Sequence, residues 1–240
     1  MEAFTVLEGV AAPLLRQNID TDVVIRINRL RDLQKDELGP YAFEAWRYMP
    51  DGSENPDFVL NQPAYRDAKI LLAGNNFACG SSREGAVWAL WGFGLRCVIA
   101  PSFGPIFFNN CFQNGMLPII LPAAEIRSIV DEIEASPSQS RMTVDLRSRE
   151  IVTPHGRRIG FSVDGLRRDA LLAGQDEIER TLQREGEINA YQVRDKRERP
   201  WIYAAGATER YRGACSVTAL STASSLLRPA GRNTATSSPA

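Results

Sequence analysis

The side chains best suited to chemistry crowd into one stretch, Gly74-Asn75-Asn76-Phe77-Ala78-Cys79-Gly80-Ser81-Ser82-Arg83-Glu84-Gly85. It follows an apolar run, Ile70 to Ala73, and opens into an apolar helical pattern that reaches Leu90. A strand, a small-residue turn and a helix are thus written side by side. The first turn of a helix leaves backbone N–H groups unpaired and partly positive, which suits carboxylates and phosphates. Ser81, Ser82 and Arg83 are expected there, two hydroxyls and a guanidinium whose planar fork matches a carboxylate.

Further candidates lie upstream. Asn18-Ile19-Asp20-Thr21-Asp22 reads as a turn, because Asn and Asp side chains compete for backbone hydrogen bonds. Asp20 and Asp22 are either caps of that turn or positioners of a substrate-binding arginine. Residues 26–39 are dense in charge, which usually marks a solvated face. If this segment flanks a pocket, Arg26 and Arg29 become bidentate clamps for a dicarboxylate.

Two other chemistries fit less well. In Gly80-Ser81-Ser82-Arg83-Glu84-Gly85 the second glycine falls one place too late for a G-x-S-x-G nucleophile elbow. The chain has a single histidine, His155, in a Pro-His-Gly turn, so a Ser-His-Asp triad would have to recruit that one residue. A phosphate-cradling site is disfavoured because neither G-x-G-x-x-G nor G-x-x-x-x-G-K-[ST] is present.

The elements that must position these residues follow from periodicity. The pattern predicts strand 69–73, helix 82–92, strand 96–100, helix 105–113, strand 117–121 and helix 123–135. A small meander over 142–146, 150–153 and 158–163 comes next, then helix 164–173 capped by Gly174, and another over 175–184. Upstream, Phe4 to Leu15 reads as short strands broken by Gly9 and Pro13, and Val23 to Ile25 as a buried strand or a short helix. Alternating strands and helices argue for an α/β fold with a mixed, partly parallel sheet. Ala204 to Ala240 is rich in Ala, Ser, Thr, Gly and Arg. Such a segment is expected to be mostly disordered, leaving 1–203 as the folded domain.

Asn18-Ile19-Asp20-Thr21-Asp22, Cys79-Gly80-Ser81-Ser82-Arg83-Glu84, Val98-Ile99-Ala100-Pro101-Ser102-Phe103 and Ile106-Phe107-Phe108-Asn109-Asn110 form an ordered set that resembles the small subunits of 3-isopropylmalate dehydratase, in the aconitase superfamily. The likeness runs from about Phe4 to Tyr203, through Asp164-Gly165-Leu166-Arg167-Arg168 and Thr181-Leu182-Gln183. It implies a swivelling β/β/α domain that pairs with a large subunit holding a four-iron four-sulfur cluster, with the active site between the two. It also implies dehydration of 2-isopropylmalate and rehydration to 3-isopropylmalate, in leucine biosynthesis. On matching positions Ser81 would be the general base, and Ser82 and Arg83 would bind a substrate carboxylate. Two departures stand out: Gly85 and Val87 replace the usual His and Pro, and Arg26 replaces a Pro. A related methylmalate or dimethylmalate is the alternative substrate, because one methylene changes discrimination by only about 1–3 kcal/mol.

Composition fits this reading. With 28 basic and 29 acidic residues and a net charge of −1, nothing favours broad attraction to nucleic acid or membranes. No apolar run approaches the roughly 18 residues of a membrane span, and the N-terminus lacks a basic leader, so the cytoplasm is the expected compartment. The four cysteines, Cys79, Cys97, Cys111 and Cys215, show no CxxC spacing, so no metal or cluster is expected on this chain. Three are expected as buried or half-buried thiols, with Cys79 the more accessible one.

Overall fold

The computed structural model describes residues 1–80 and 84–203. The chain divides into two units, Met1–Gln183 and Arg184–Ala240. The expectation for 204–240 lies outside the described residues.

The first unit carries a seven-stranded sheet in the order β4-β3-β2-β1-β5-β6-β7. Its strands are β1 (Val6–Leu14), β2 (Ala68–Ala73), β3 (Cys97–Ala100), β4 (Leu117–Ile120), β5 (Arg141–Asp145), β6 (Glu150–Val152) and β7 (Arg158–Gly160). The pairs β1–β2, β2–β3 and β3–β4 are parallel, whereas β1–β5, β5–β6 and β6–β7 are antiparallel. The sequence divides the same way. β3 is buried throughout and β2 nearly so, as strands covered on both faces require, while β5 alternates as a strand with one wet face does.

β1 is one nine-residue strand, not short strands broken at Gly9 and Pro13. Pro13 is tolerated because β5 pairs only with Val6 to Val10. Beyond that point one side of β1 has no β5 partner to receive an N–H, which makes it locally an edge. A register irregularity between Val10 and Ala11 marks the change.

The helices are α1 (Thr21–Val24), α2 (Ile27–Asp32), α3 (Glu44–Arg47), α4 (Glu84–Phe93), α5 (Pro105–Gln113), α6 (Ala123–Ala135), α7 (Gly165–Ala173) and α8 (Glu177–Leu182). α6 buries Ile126, Ile129, Val130 and Ile133. That i, i+3, i+4, i+7 stripe contributes about 1.5–3 kcal/mol per buried side chain. α7 is capped by the Asp164 carboxylate at its start and by left-handed Gly174 at its end, and the Met1 ammonium donates to the Gly174 carbonyl. A capping box of Asp176 and Glu179 starts α8.

In the second unit, α9 (Glu185–Glu198) is a helix for which the apolar period gave no signal. It is polar nearly all round, and its residues favour helix through propensity rather than through a buried stripe. Within that unit Asp195 gathers Arg199 and the Tyr203 hydroxyl.

Candidate active site

Three loops meet at the carboxyl ends of parallel strands: 15–20 after β1, 74–80 after β2, and 101–104 after β3. This end of an α/β sheet is where such folds place ligands. The loops are stitched by side chains as well as backbone. Asn18 N–H donates to the Asn75 carbonyl (2.9 Å), and Asn76 Nδ2 donates to Asn18 Oδ1 (2.9 Å). Ser102 Oγ accepts from Asn76 N–H (2.9 Å) and donates to Asn75 Oδ1 (2.8 Å). Phe77 N–H donates to the Ser102 carbonyl (3.0 Å), and Gly104 N–H returns to Phe77 (2.9 Å). A Cβ on Gly104 would overlap the Ala78 carbonyl, so close approach of two backbones dictates glycine there.

The second loop bends through left-handed residues at Asn76 (φ 57°), Ala78 (φ 53°) and Gly80 (φ 89°). Alanine in that region costs of order 1 kcal/mol or more, and here the bonds to neighbouring loops hold it. Cys79 donates its N–H to the Ile19 carbonyl (3.0 Å) and accepts from Thr21 N–H (3.0 Å), which brings Asp20 beside Gly80. Asp20 Oδ1 accepts from Asp22 N–H at the start of α1 (2.7 Å). Its other oxygen occupies the space that a Cβ on Gly80 would need. Asp20 is therefore both a helix cap and a wall of the turn leading to Ser81, while Asp22 is exposed in the first turn of α1. Ser81, Ser82 and Arg83 lie outside the described residues. The chain resumes at Glu84, the first residue of α4.

The charge-dense segment runs along one stripe of α4. Leu30 of α2 covers Gly85, where an added Cβ would overlap its Cδ2. Lys35 Nζ stands 5.2 Å from the Trp88 ring centroid. Gly39 crosses Gly92 with no room for a Cβ on Gly39. Positions 85, 88 and 92 share a helix face, so small residues at both ends of the stripe admit the loop.

Arg26 is exposed at the start of α2. Arg29 pairs within the chain: its Nε and Nη2 donate to Glu44 Oε2 (3.0 Å) and Oε1 (2.7 Å), and its guanidinium lies 4.1 Å from the Tyr41 ring centroid. In this structure two of its guanidinium nitrogens are therefore engaged by Glu44. That hydrogen bonding holds the Glu44 carboxyl below its usual range, against the opposing effect of burial, with a smaller contribution from the charge of Arg26.

Cys97 and Cys111 are buried and Cys79 is half-buried. Burial pushes the Cys97 thiol far up, and the Cys111 thiol likewise. Cys215 lies outside the described residues. Among the described residues no group of three His, Cys, Asp or Glu side chains is placed to hold a metal, and no helix is long and apolar enough to cross a membrane. His155 lies in the turn after β6, where its N–H donates to Glu132 Oε2 (3.3 Å), and β6 stands three places from β2 in the sheet.

Sequence reasoning missed the linkage of Asn18, Asn75, Asn76 and Ser102, although the turn-forming residues themselves were visible. It also missed Asn114 at the end of α5, which bonds Glu84 and Trp88.

A mixed sheet whose parallel half presents this three-loop rim defines a domain of the aconitase C-terminal class, and the model of the Aconitase C-terminal domain matches residues 1–124. The 3-isopropylmalate dehydratase small subunit of Rhodopseudomonas palustris (strain TIE-1) is 51% identical over 201 residues, covering 84% of this chain and 100% of that protein. The small subunit of Paramagnetospirillum magneticum is 52% identical over 202 residues, again with 84% and 100% coverage. The crystal structure of 3-isopropylmalate dehydratase from Methanocaldococcus jannaschii superposes with a TM-score of 0.56 at 27% identity, covering 78% of this chain and 99% of that one. The chain belongs to the family of 3-isopropylmalate dehydratase small subunits.

Proposed function

We propose that this chain is one half of a hydro-lyase that interconverts 2-isopropylmalate and 3-isopropylmalate by dehydration and rehydration, in leucine biosynthesis in the cytoplasm, and that it acts only with a large subunit. The observation that carries this reading is identity near 50% along the whole length of relatives that bear that name. In this reading a four-iron four-sulfur cluster is carried by the large subunit, where it would act as Lewis acid toward the leaving hydroxyl.

The tasks left to this chain are substrate binding and proton transfer at carbon. Ser81 takes the role of general base, and Ser82 with Arg83 that of carboxylate ligand. An ordinary serine hydroxyl is a very weak base. Its alkoxide needs oriented N–H groups and nearby positive charge, which the helix start and Arg83 provide in this reading. Asp20 and Asp22 shape the adjoining turn, and the charge-dense segment 26–39, which this reading takes as the recognition segment for the alkyl group, supplies an exposed cation in Arg26. Arg26 also favours a second reading, in which the alkyl malate is methylmalate or dimethylmalate.

One assay decides. The purified chain is mixed anaerobically with a cognate cluster-bearing large subunit, and absorbance of the unsaturated acid is followed from isopropylmalate, methylmalate and dimethylmalate. Turnover is expected only from the complex, and the best substrate identifies the alkyl group. Activity of this chain alone, or a verified complex inert toward every malate, overturns the proposal. Ser81→Ala is expected to leave assembly intact and to reduce turnover severely.

A further inference from the structure

We propose that Asn114 is a positioning residue that couples the recognition segment to the start of α4. This rests on the site reading above, in which Ser81, Ser82 and Arg83 immediately precede that helix. Asn114 is the C-cap of α5, its N–H bonded to the Asn110 and Cys111 carbonyls. Its side chain then reaches into a junction of three segments. Oδ1 accepts from Trp88 Nε1 (2.9 Å) and from Lys35 Nζ (3.2 Å). Nδ2 donates to Glu84 Oε1 (3.0 Å) and to the Asn110 carbonyl (3.0 Å). Two lone pairs and two N–H bonds are the full capacity of an amide, and all four are used.

The partners are not a random set. Glu84 and Trp88 are i and i+4 on α4, so they present one face, and Glu84 directly follows Arg83. Lys35 belongs to the turn that continues α2, whose Leu30 covers Gly85. One amide therefore holds both the first turn of the candidate catalytic helix and the segment that flanks it. Only a side chain with donors and acceptors at one reach can do this. An Asp keeps the contacts to Lys35 and Trp88 but turns a second carboxylate oxygen toward Glu84. A Leu loses all four.

The test uses the full chain, free and in complex with its cognate large subunit, as wild type, Asn114→Asp, Glu84→Gln and the double variant. In the free chain, hydrogen exchange followed by mass spectrometry is expected to quicken about tenfold in Asn114→Asp for peptides from both 27–37 and 84–93. In the double variant the new Gln amide donates to the new carboxylate, and exchange in 84–93 returns toward wild type. In the complex, Asn114→Asp is expected to lower kcat/KM about tenfold and to change the ratio of kcat/KM between isopropylmalate and methylmalate, with partial recovery in the double variant. A residue that only supports the fold would lower turnover of both malates in proportion. Response of one peptide alone, or a double variant no better than Asn114→Asp while both retain the wild-type circular dichroism spectrum, overturns the coupling. A wild-type complex inert toward all malates fails the site reading separately, because the exchange experiment still decides whether Asn114 joins the two segments.

Discussion

Leu30 of α2 fills the space directly over Gly85 in the first turn of α4, so closely that even a methyl group at position 85 would overlap its Cδ2. Two residues 55 positions apart in the chain thus have complementary sizes. A larger residue at 85 must displace Leu30, and overpacking of this kind costs about 1–3 kcal/mol. Gly85→Val is expected to lower the urea midpoint accordingly. Leu30→Ala should be less harmful in that background than in wild type, with a coupling of about 1 kcal/mol or more in a double-mutant cycle.

Gly80 presents a sharper constraint, because its φ is +89° and Asp20 stands where its side chain would be. Gly80→Ala is expected to cost roughly 1–3 kcal/mol and to depress turnover in the complex beyond any loss of folded protein, since the turn leads into Ser81. Asp20→Ala removes the cap and should cost about 1 kcal/mol on its own. Thermal melts and steady-state kinetics of both variants separate the two effects.

The bond between Arg29 and Glu44 predicts an acid-dependent difference. Glu44 titrates below its ordinary value because the guanidinium donates to it. Such a carboxylate contributes stability that is fully present above the ordinary glutamate range and is lost as pH falls through the folded-state value. Glu44→Gln is expected to be less stable than wild type by about 1 kcal/mol near neutrality, a figure that allows for partial solvent screening. The gap should close as pH drops below about 4. Melting temperatures of both proteins from pH 3 to 7 provide the check.

Cutting the chain after Tyr203 is expected to leave complex formation and turnover unchanged within about twofold, because the composition of 204–240 offers little apolar surface to bury. The Rhodopseudomonas palustris (strain TIE-1) relative is covered end to end by 201 residues of alignment, which take in 84% of this chain. Size-exclusion chromatography with the large subunit and the absorbance assay would show any dependence on it.

Much of this architecture was legible because it is local. The apolar runs of β2, β3 and β4 and the four-residue stripe of α6 announce themselves within a few positions, as does the Gly174 cap of α7. What stayed hidden depends on partners distant in sequence. Arg29 reads as a free cation until Glu44 is brought beside it, and Pro13 reads as a strand breaker until β5 is seen to stop at Val10. The partners of Asn114 are spread from Lys35 to Asn110, and no spacing ties Lys35 or the α4 pair to Asn114. α9 was missed for a different reason: it has propensity without an apolar period.

The crossing of Gly39 over Gly92 has a practical meaning if segment 26–39 sets substrate preference, as in the proposed function. That segment is seated on its helix by glycine at 85 and 92, so a graft of it alone would land on a helix surface shaped for another loop. The portable unit is the segment together with those two helix positions, and Asn114 would have to travel with them.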